Sequence, residues 1–135
     1  MKIIRKQSRG SILVEFALSI ILYSAFLYGL IVASMWAIGG TIVHDAAITA
    51  AQIYAVELDS SKAAKRAVGE IGRWGYVFVD PSTIHVTVEQ IGDTAHATVT
   101  AQPRIQKAFF YTMPALKREA SCTMEYRFRR PGEFL

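Results

Sequence analysis

Apolar residues run almost unbroken from Ser11 to Ile38, with a single charge, Glu15, in 28 positions. The run has one glycine, Gly29, and no proline. About 20 apolar residues suffice to cross a bilayer as a helix, so the pattern predicts a transmembrane helix over 11–38. Gly39-Gly40 then interrupts the apolar character and is expected to allow a bend. Asp45 to Leu58 reads as a helix with Ala46, Ala47, Ala50, Ala51 and Tyr54 on one side. Asp59-Ser60-Ser61 offers N-caps for a second helix, Lys62 to Arg73. Its packing side is Ala63, Ala64, Ala67, Val68 and Ile71.

The period then changes from that of helices to that of strands. Tyr76 to Val79 is aromatic and β-branched, and reads as a strand stopped by Asp80-Pro81. Ile84 to Glu89 alternates, with Ile84, Val86 and Val88 on one face. Ala95 to Ala101 alternates again, and Gly92-Asp93 between them predicts an antiparallel hairpin whose apolar face packs on the helices. Residues 105–116 are open to more than one reading. The cluster Phe109, Phe110, Tyr111 and Met113 is either core, which is the default, or a contact patch. Ala120 to Arg129 reads as a last strand, with Cys122, Met124, Tyr126 and Phe128 on one face. The expected fold class is α+β: a long N-terminal transmembrane helix, then a small exported domain with helices and a short antiparallel sheet. Its parts are a leader over 1–10, the membrane helix over 11–38 and the exported domain over 39–135.

Charge changes this picture only at the N-terminus. The formal net charge is +4, but Lys2, Arg5, Lys6 and Arg9 all precede the apolar run. Without them, 11 basic residues face 11 acidic ones. The excess is a topology signal, predicting a cytoplasmic N-terminus and a translocated remainder. A secretory signal peptide has an apolar core of 7–15 residues, about half the run seen here. A soluble core helix would need cover on every face, which a chain of this size does not supply.

Glu15 is the anomaly. A carboxylate in hydrocarbon is costly and calls for a partner or a function, unless it reaches the nearby interface by snorkelling. Its context is a basic leader ending at Gly10, a small residue Ser11, and then an apolar run with glutamate fifth from Ser11. This arrangement resembles the processing site of type IV pilins and pseudopilins. The wording GSILVEFALSIILY resembles, more narrowly, the TadE-like pseudopilins of tight-adherence (Flp/Tad) pilus systems. The strong match covers residues 5–30. The segment HDAAITAAQIYAVEL has no arginine, where TadE-like proteins often carry one. At 135 residues, a longer Tad protein with an added adhesion-type domain is not expected.

The resemblance implies cleavage between Gly10 and Ser11 by a prepilin peptidase and, usually, N-methylation of Ser11. It implies that Glu15, with Phe16 beside it, serves assembly, Glu15 pairing with the terminal amine of a neighbouring subunit. The implied partners are that peptidase, other pilin or pseudopilin subunits, pilus assembly proteins and membrane lipid. The implied location is the bacterial inner membrane, single-pass, with a periplasmic C-terminal domain and incorporation in a surface pilus as a further expectation.

Other chemistry is not legible. His44, His85 and His96 lack an evident further ligand, although His85 and His96 fall on paired strands and could approach each other. There is no CxxC, HExxH, GxSxG or phosphate-binding glycine loop. Lone Cys122 reads as a small semi-buried residue. No catalytic residue, cofactor or metal is assigned, and neither nucleic acid nor a small-molecule substrate is an expected partner. The expectation is a non-enzymatic pilin-like subunit. The alternative is an uncleaved single-pass anchor whose exported domain binds a periplasmic partner. A small membrane-anchored enzyme would need a convergent polar cluster, which the sequence does not offer.

Overall fold

The structure is a computed structural model that describes the backbone of residues 4–124 and the side chains of residues 10–124. Its elements are helix α1 (Ile4–Glu57), helix α2 (Ser60–Gly75), a 3-10 turn (Pro81–Thr83), and strands β1 (His85–Ile91), β2 (Thr94–Ala101), β3 (Lys107–Ala108), β4 (Tyr111–Thr112) and β5 (Leu116–Thr123). This is the expected α+β arrangement. Internal contacts divide the chain into two units, Met1–Ser34 and Met35–Leu135.

The described part of the first unit is helix, and its part of α1 exposes large apolar side chains such as Leu13, Ile21, Leu22 and Phe26. The span is long and apolar enough to cross a membrane. Three of its serines are compatible with lipid because their hydroxyls are satisfied locally. Ser19, Ser24 and Ser34 each donate 2.8 Å hydrogen bonds to the carbonyl four residues earlier, on Glu15, Ile20 and Leu30.

The second unit packs the remainder of α1 and α2 with a three-stranded antiparallel sheet of order β1-β2-β5. The core is built from small residues. Val43, Ala46, Ala47, Ala50 and Ala51 of α1 join Ala67 and Ile71 of α2, Ala97, Val99 and Ala101 of β2, and Val79 and Leu116 in one buried cluster. Alanine leaves little side chain between layers, so helices and sheet approach closely. The alternation of β2 is complete: Ala95, Ala97, Val99 and Ala101 are buried, and the residues between them are half-buried. Ile91 pairs with Thr94 across Gly92-Asp93, and Gly92 takes the positive φ (62°) that this two-residue turn needs.

Asp59 caps α2 as expected, its carboxylate accepting from the Lys62 amide at 3.1 Å. The helix is interrupted at Gly72, where φ is 59°. Leu58, also at positive φ (57°), and Asp59 form the short connection from α1.

Four sequence expectations are corrected. Gly39-Gly40 does not break the helix, because α1 runs through both. These glycines instead permit close approach: a Cβ on Gly39 would lie 3.0 Å from Leu116 Cδ1, and one on Gly40 would lie 3.0 Å from an Arg118 guanidinium nitrogen. Tyr76 to Val79 is a turn rather than a strand. The amides of Phe78 and Val79 both bond the Gly75 carbonyl, and only Val79 makes a bridge, to Pro103. The last strand begins at Leu116, not Ala120, since Lys117, Arg118 and Glu119 pair with Thr100, Val99 and Thr98 of β2. The polar run alternates in burial there, with Lys117 and Glu119 exposed and Arg118 half-buried over Gly40. The fourth correction concerns Phe109, Phe110 and Tyr111, which are exposed and not core. Tyr126, Phe128 and the arginines at 127, 129 and 130 lie outside the described residues.

Two stability predictions follow from this packing. Ala97→Leu inserts atoms into a fully buried site and should destabilise the fold by about 1–3 kcal/mol. Exposed Ile91→Ser should change stability by no more than about 0.5 kcal/mol. Denaturant unfolding of the full chain in micelles, read by tryptophan fluorescence, separates the two. Asp80 supplies a pH test. Its carboxylate accepts from the Ser82 hydroxyl (2.8 Å) and amide (3.0 Å), which holds its pKa below the ordinary 3.8, with a lesser contribution from Arg104. A lowered pKa stabilises the fold above the unfolded value, and that contribution is lost as pH falls through the native one. Asp80→Asn should therefore lose less stability than wild type on acidification in a thermal melt series.

Candidate functional site

Gly10, Ser11, Glu15 and Phe16 all lie on α1, and all four are exposed. Ser11 and Glu15 are four residues apart, so they occupy one helix face about 6 Å apart along the axis. A Cβ built on Gly10 meets nothing within 4 Å. Glu15 heads a shallow apolar groove continued by Leu18, Ser19, Leu22, Tyr23 and Phe26. These positions recur at intervals of three and four, which is the spacing of a helix-docking stripe. Among the described residues, no hydrogen bond or ion pair engages the Glu15 carboxylate; Ser19 bonds the Glu15 backbone carbonyl. Chemically, the stripe offers an anion at the end of a hydrocarbon surface. In a low-dielectric setting that anion is stabilised by a cation from outside its own turn of helix.

The histidines do not come together. His85 pairs with Thr100 and His96 with Glu89, which sets them four register steps, about 13 Å, apart on one sheet face. This corrects the expectation that they could approach each other. His96 is flanked by Glu89 and, on β5, by Ser121. Glu119, nearby on that face, receives a 2.9 Å ion pair from Lys117, whose hydrogen bond and charge lower its pKa; His96 adds a smaller effect. Among the described residues, no three His, Cys, Asp or Glu side chains converge as a metal site would require. Cys122 is half-buried, with its thiol 3.7 Å from the Thr123 carbonyl.

A second feature is the aromatic cluster that the sequence left open between core, the default, and a contact patch. Strands β3 and β4 form a miniature hairpin closed by the Met113 amide on the Gln106 carbonyl (2.7 Å). Its tip presents Phe109 (61% exposed), Phe110 (106%) and Tyr111 (63%). One residue after Met113, the Pro114 carbonyl accepts a 3.1 Å hydrogen bond from the indole N–H of Trp36. The available signal was local: three consecutive aromatic residues, Phe109 to Tyr111, in a stretch too short to form a second layer.

Comparison with known proteins adds no relative: the chain matches no family model, no curated protein and no solved structure.

The exposure of Glu15 yields a simple prediction. Glu15→Ala should leave helix content and the thermal melt of the second unit unchanged, as read by circular dichroism in micelles. Any effect in cells is then not an effect on folding.

Proposed function

We propose that this protein is a pilin-like minor subunit, a pseudopilin. A prepilin peptidase processes it at Gly10–Ser11, and it then takes part in assembling a Tad or type IV-like pilus or related secretion machinery. The observation that carries the reading is the pattern Gly10, Ser11 and Glu15 at the head of an exposed apolar helix. The narrower resemblance to TadE-like pseudopilins rests on GSILVEFALSIILY.

The chemistry proceeds in three stages. The basic leader holds the N-terminus in the cytoplasm while the chain inserts in the inner membrane and its C-terminal domain reaches the periplasm. Cleavage then creates a new α-amino group on Ser11, cationic at neutral pH. That amine begins one helical turn before Glu15, so a single subunit carries both halves of an ion pair on one face. In lipid, an isolated carboxylate and an isolated ammonium are each costly, and pairing offsets the cost. When a second subunit docks along the Leu18–Leu22–Phe26 stripe, Glu15 exchanges to the neighbour's amine. Phe16, beside it, contributes apolar contact. Glu15 therefore favours association without being needed for folding.

The second reading, an uncut membrane anchor, differs at the N-terminus. Intact mass and N-terminal sequencing of the protein from native membranes should show a chain starting at Ser11. A chain starting at Met1 in cells with active peptidase would overturn the processing scheme. Gly10→Ala should abolish cleavage, and the open space around Gly10 keeps that variant free of packing effects. Glu15→Ala should be inserted and cut normally yet give less pilus and weaker crosslinks to partner subunits. Unchanged output would rule out the pairing role.

A further inference from the structure

We propose that the β3–β4 hairpin is a membrane-interface foot, its aromatic tip entering the boundary between headgroups and acyl chains of the bilayer that α1 spans. The inference rests on the membrane-spanning part of the proposed function, and does not depend on cleavage or pilus assembly.

Three observations carry it. The first is exposure: Phe109, Phe110 and Tyr111 stand at the tip of a two-stranded hairpin, and Phe110 is fully open to its surroundings. A fully exposed phenylalanine between two other exposed aromatics is an unusual surface for water and a fitting one for an interface. Tyrosine suits the same depth, with its ring apolar and its hydroxyl wet.

The second is position. Trp36 lies two residues before the end of the apolar run at Ile38, where an indole marks the level of the membrane boundary. Its N–H holds the Pro114 carbonyl, next to the hairpin base. From Pro114 to Phe110 is four residues, at most about 13 Å of extended chain. Each polar interface of a bilayer is roughly 5–8 Å deep, half the difference between total and hydrocarbon thickness. The tip is thus tethered within reach of the interface by a contact inside the second unit.

The third is charge. From Thr94 to Arg118 the chain has no Asp or Glu, and carries Arg104, Lys107, Lys117 and Arg118. Arg104 is within electrostatic reach of Asp80, and Arg118 lies over Gly40. Lys107 opens β3, two residues before Phe109, and is exposed. Its ammonium suits lipid phosphate while its methylenes follow the aromatic tip down. The exposed lysine beside the aromatic tip, and the tether to Trp36 at the end of the apolar run, favour lipid as the occupant.

The test uses the full chain in liposomes of phosphatidylethanolamine and phosphatidylglycerol. In a Cys122→Ser background, single cysteines are placed by Phe110→Cys, Ile21→Cys and Ser61→Cys and spin-labelled. Power saturation then compares collisions with dissolved oxygen and with a water-soluble nickel chelate. Ile21 is exposed on the apolar helix outside the stripe below Glu15, and Ser61 is exposed at the start of α2, so they calibrate lipid and water. The expected oxygen-to-nickel ratio at 110 is several-fold above that at 61 and below that at 21. A ratio at 110 equal to that at 61 would overturn the foot. Low access to both reagents at 110 would also overturn it, pointing to cover by protein. If the label at 21 itself reads as water-exposed, the membrane span fails, and the foot with it. To separate contact from misfolding, Phe110→Ser should keep the wild-type melt in micelles while releasing the Lys107 region to faster amide exchange in liposomes.

Discussion

Small side chains on α1 set what the second unit can be. Ala46, Ala47, Ala50 and Ala51 give the helix a nearly bare face, and the buried side of β2 answers with Ala95, Ala97, Val99 and Ala101. Layers this thin derive stability from many close contacts instead of a few large side chains. Gly39 and Gly40 extend the same constraint, admitting Leu116 and Arg118 of β5 almost onto the helix backbone. The position of β5, and hence of everything between β2 and β5, follows from how closely α1 lets it come. The β3–β4 hairpin is the part of that connection with no place in the thin core, so its aromatics are left outside.

The two ends of α1 present different surfaces. Near Glu15 the exposed surface is hydrocarbon with serine hydroxyls turned back onto the helix. By Val43 the same helix has acquired a buried side and an exposed side bearing His44 and Asp45. A polypeptide can change environment in this way without changing secondary structure, because an α-helix satisfies its own backbone in lipid and in water alike. That also explains why a pair of glycines at the changeover leaves the helix intact.

Much of this was legible in the sequence, for physical reasons that can be named. The apolar run, the Asp59 cap, the alanine face and the β1–β2 hairpin all follow from local period and turn chemistry. The misjudged segments were those decided by distant residues. Gly39-Gly40 reads as a breaker until Leu116 and Arg118 are seen to need the space. Tyr76 to Val79 has strand composition, but Gly75 offers its carbonyl to two amides and curls the chain. Lys117 to Glu119 has no apolar alternation to mark it, and is strand because it pairs with the edge of β2. Core was the default for the aromatic cluster, with a contact patch as the alternative, because large apolar residues usually belong inside, and no local pattern decides between the two. For the candidate site, Gly10, Ser11 and Glu15 were visible as a pattern, whereas the stripe below Glu15 needed helical geometry to emerge. The Trp36–Pro114 bond joins residues 78 positions apart and has no sequence signature.

The sheet order has a temporal consequence. Strand β2 is central, but its second neighbour is β5, which ends at Thr123. A chain delivered from its N-terminus forward therefore presents α1, α2 and the β1–β2 hairpin long before the edge of β2 can be closed and Leu116 can enter the core. Until then β2 keeps an open edge and the core lacks Leu116. The sheet is thus completed by a late strand, and the contact that closes the core is a long-range one, the slow kind to form.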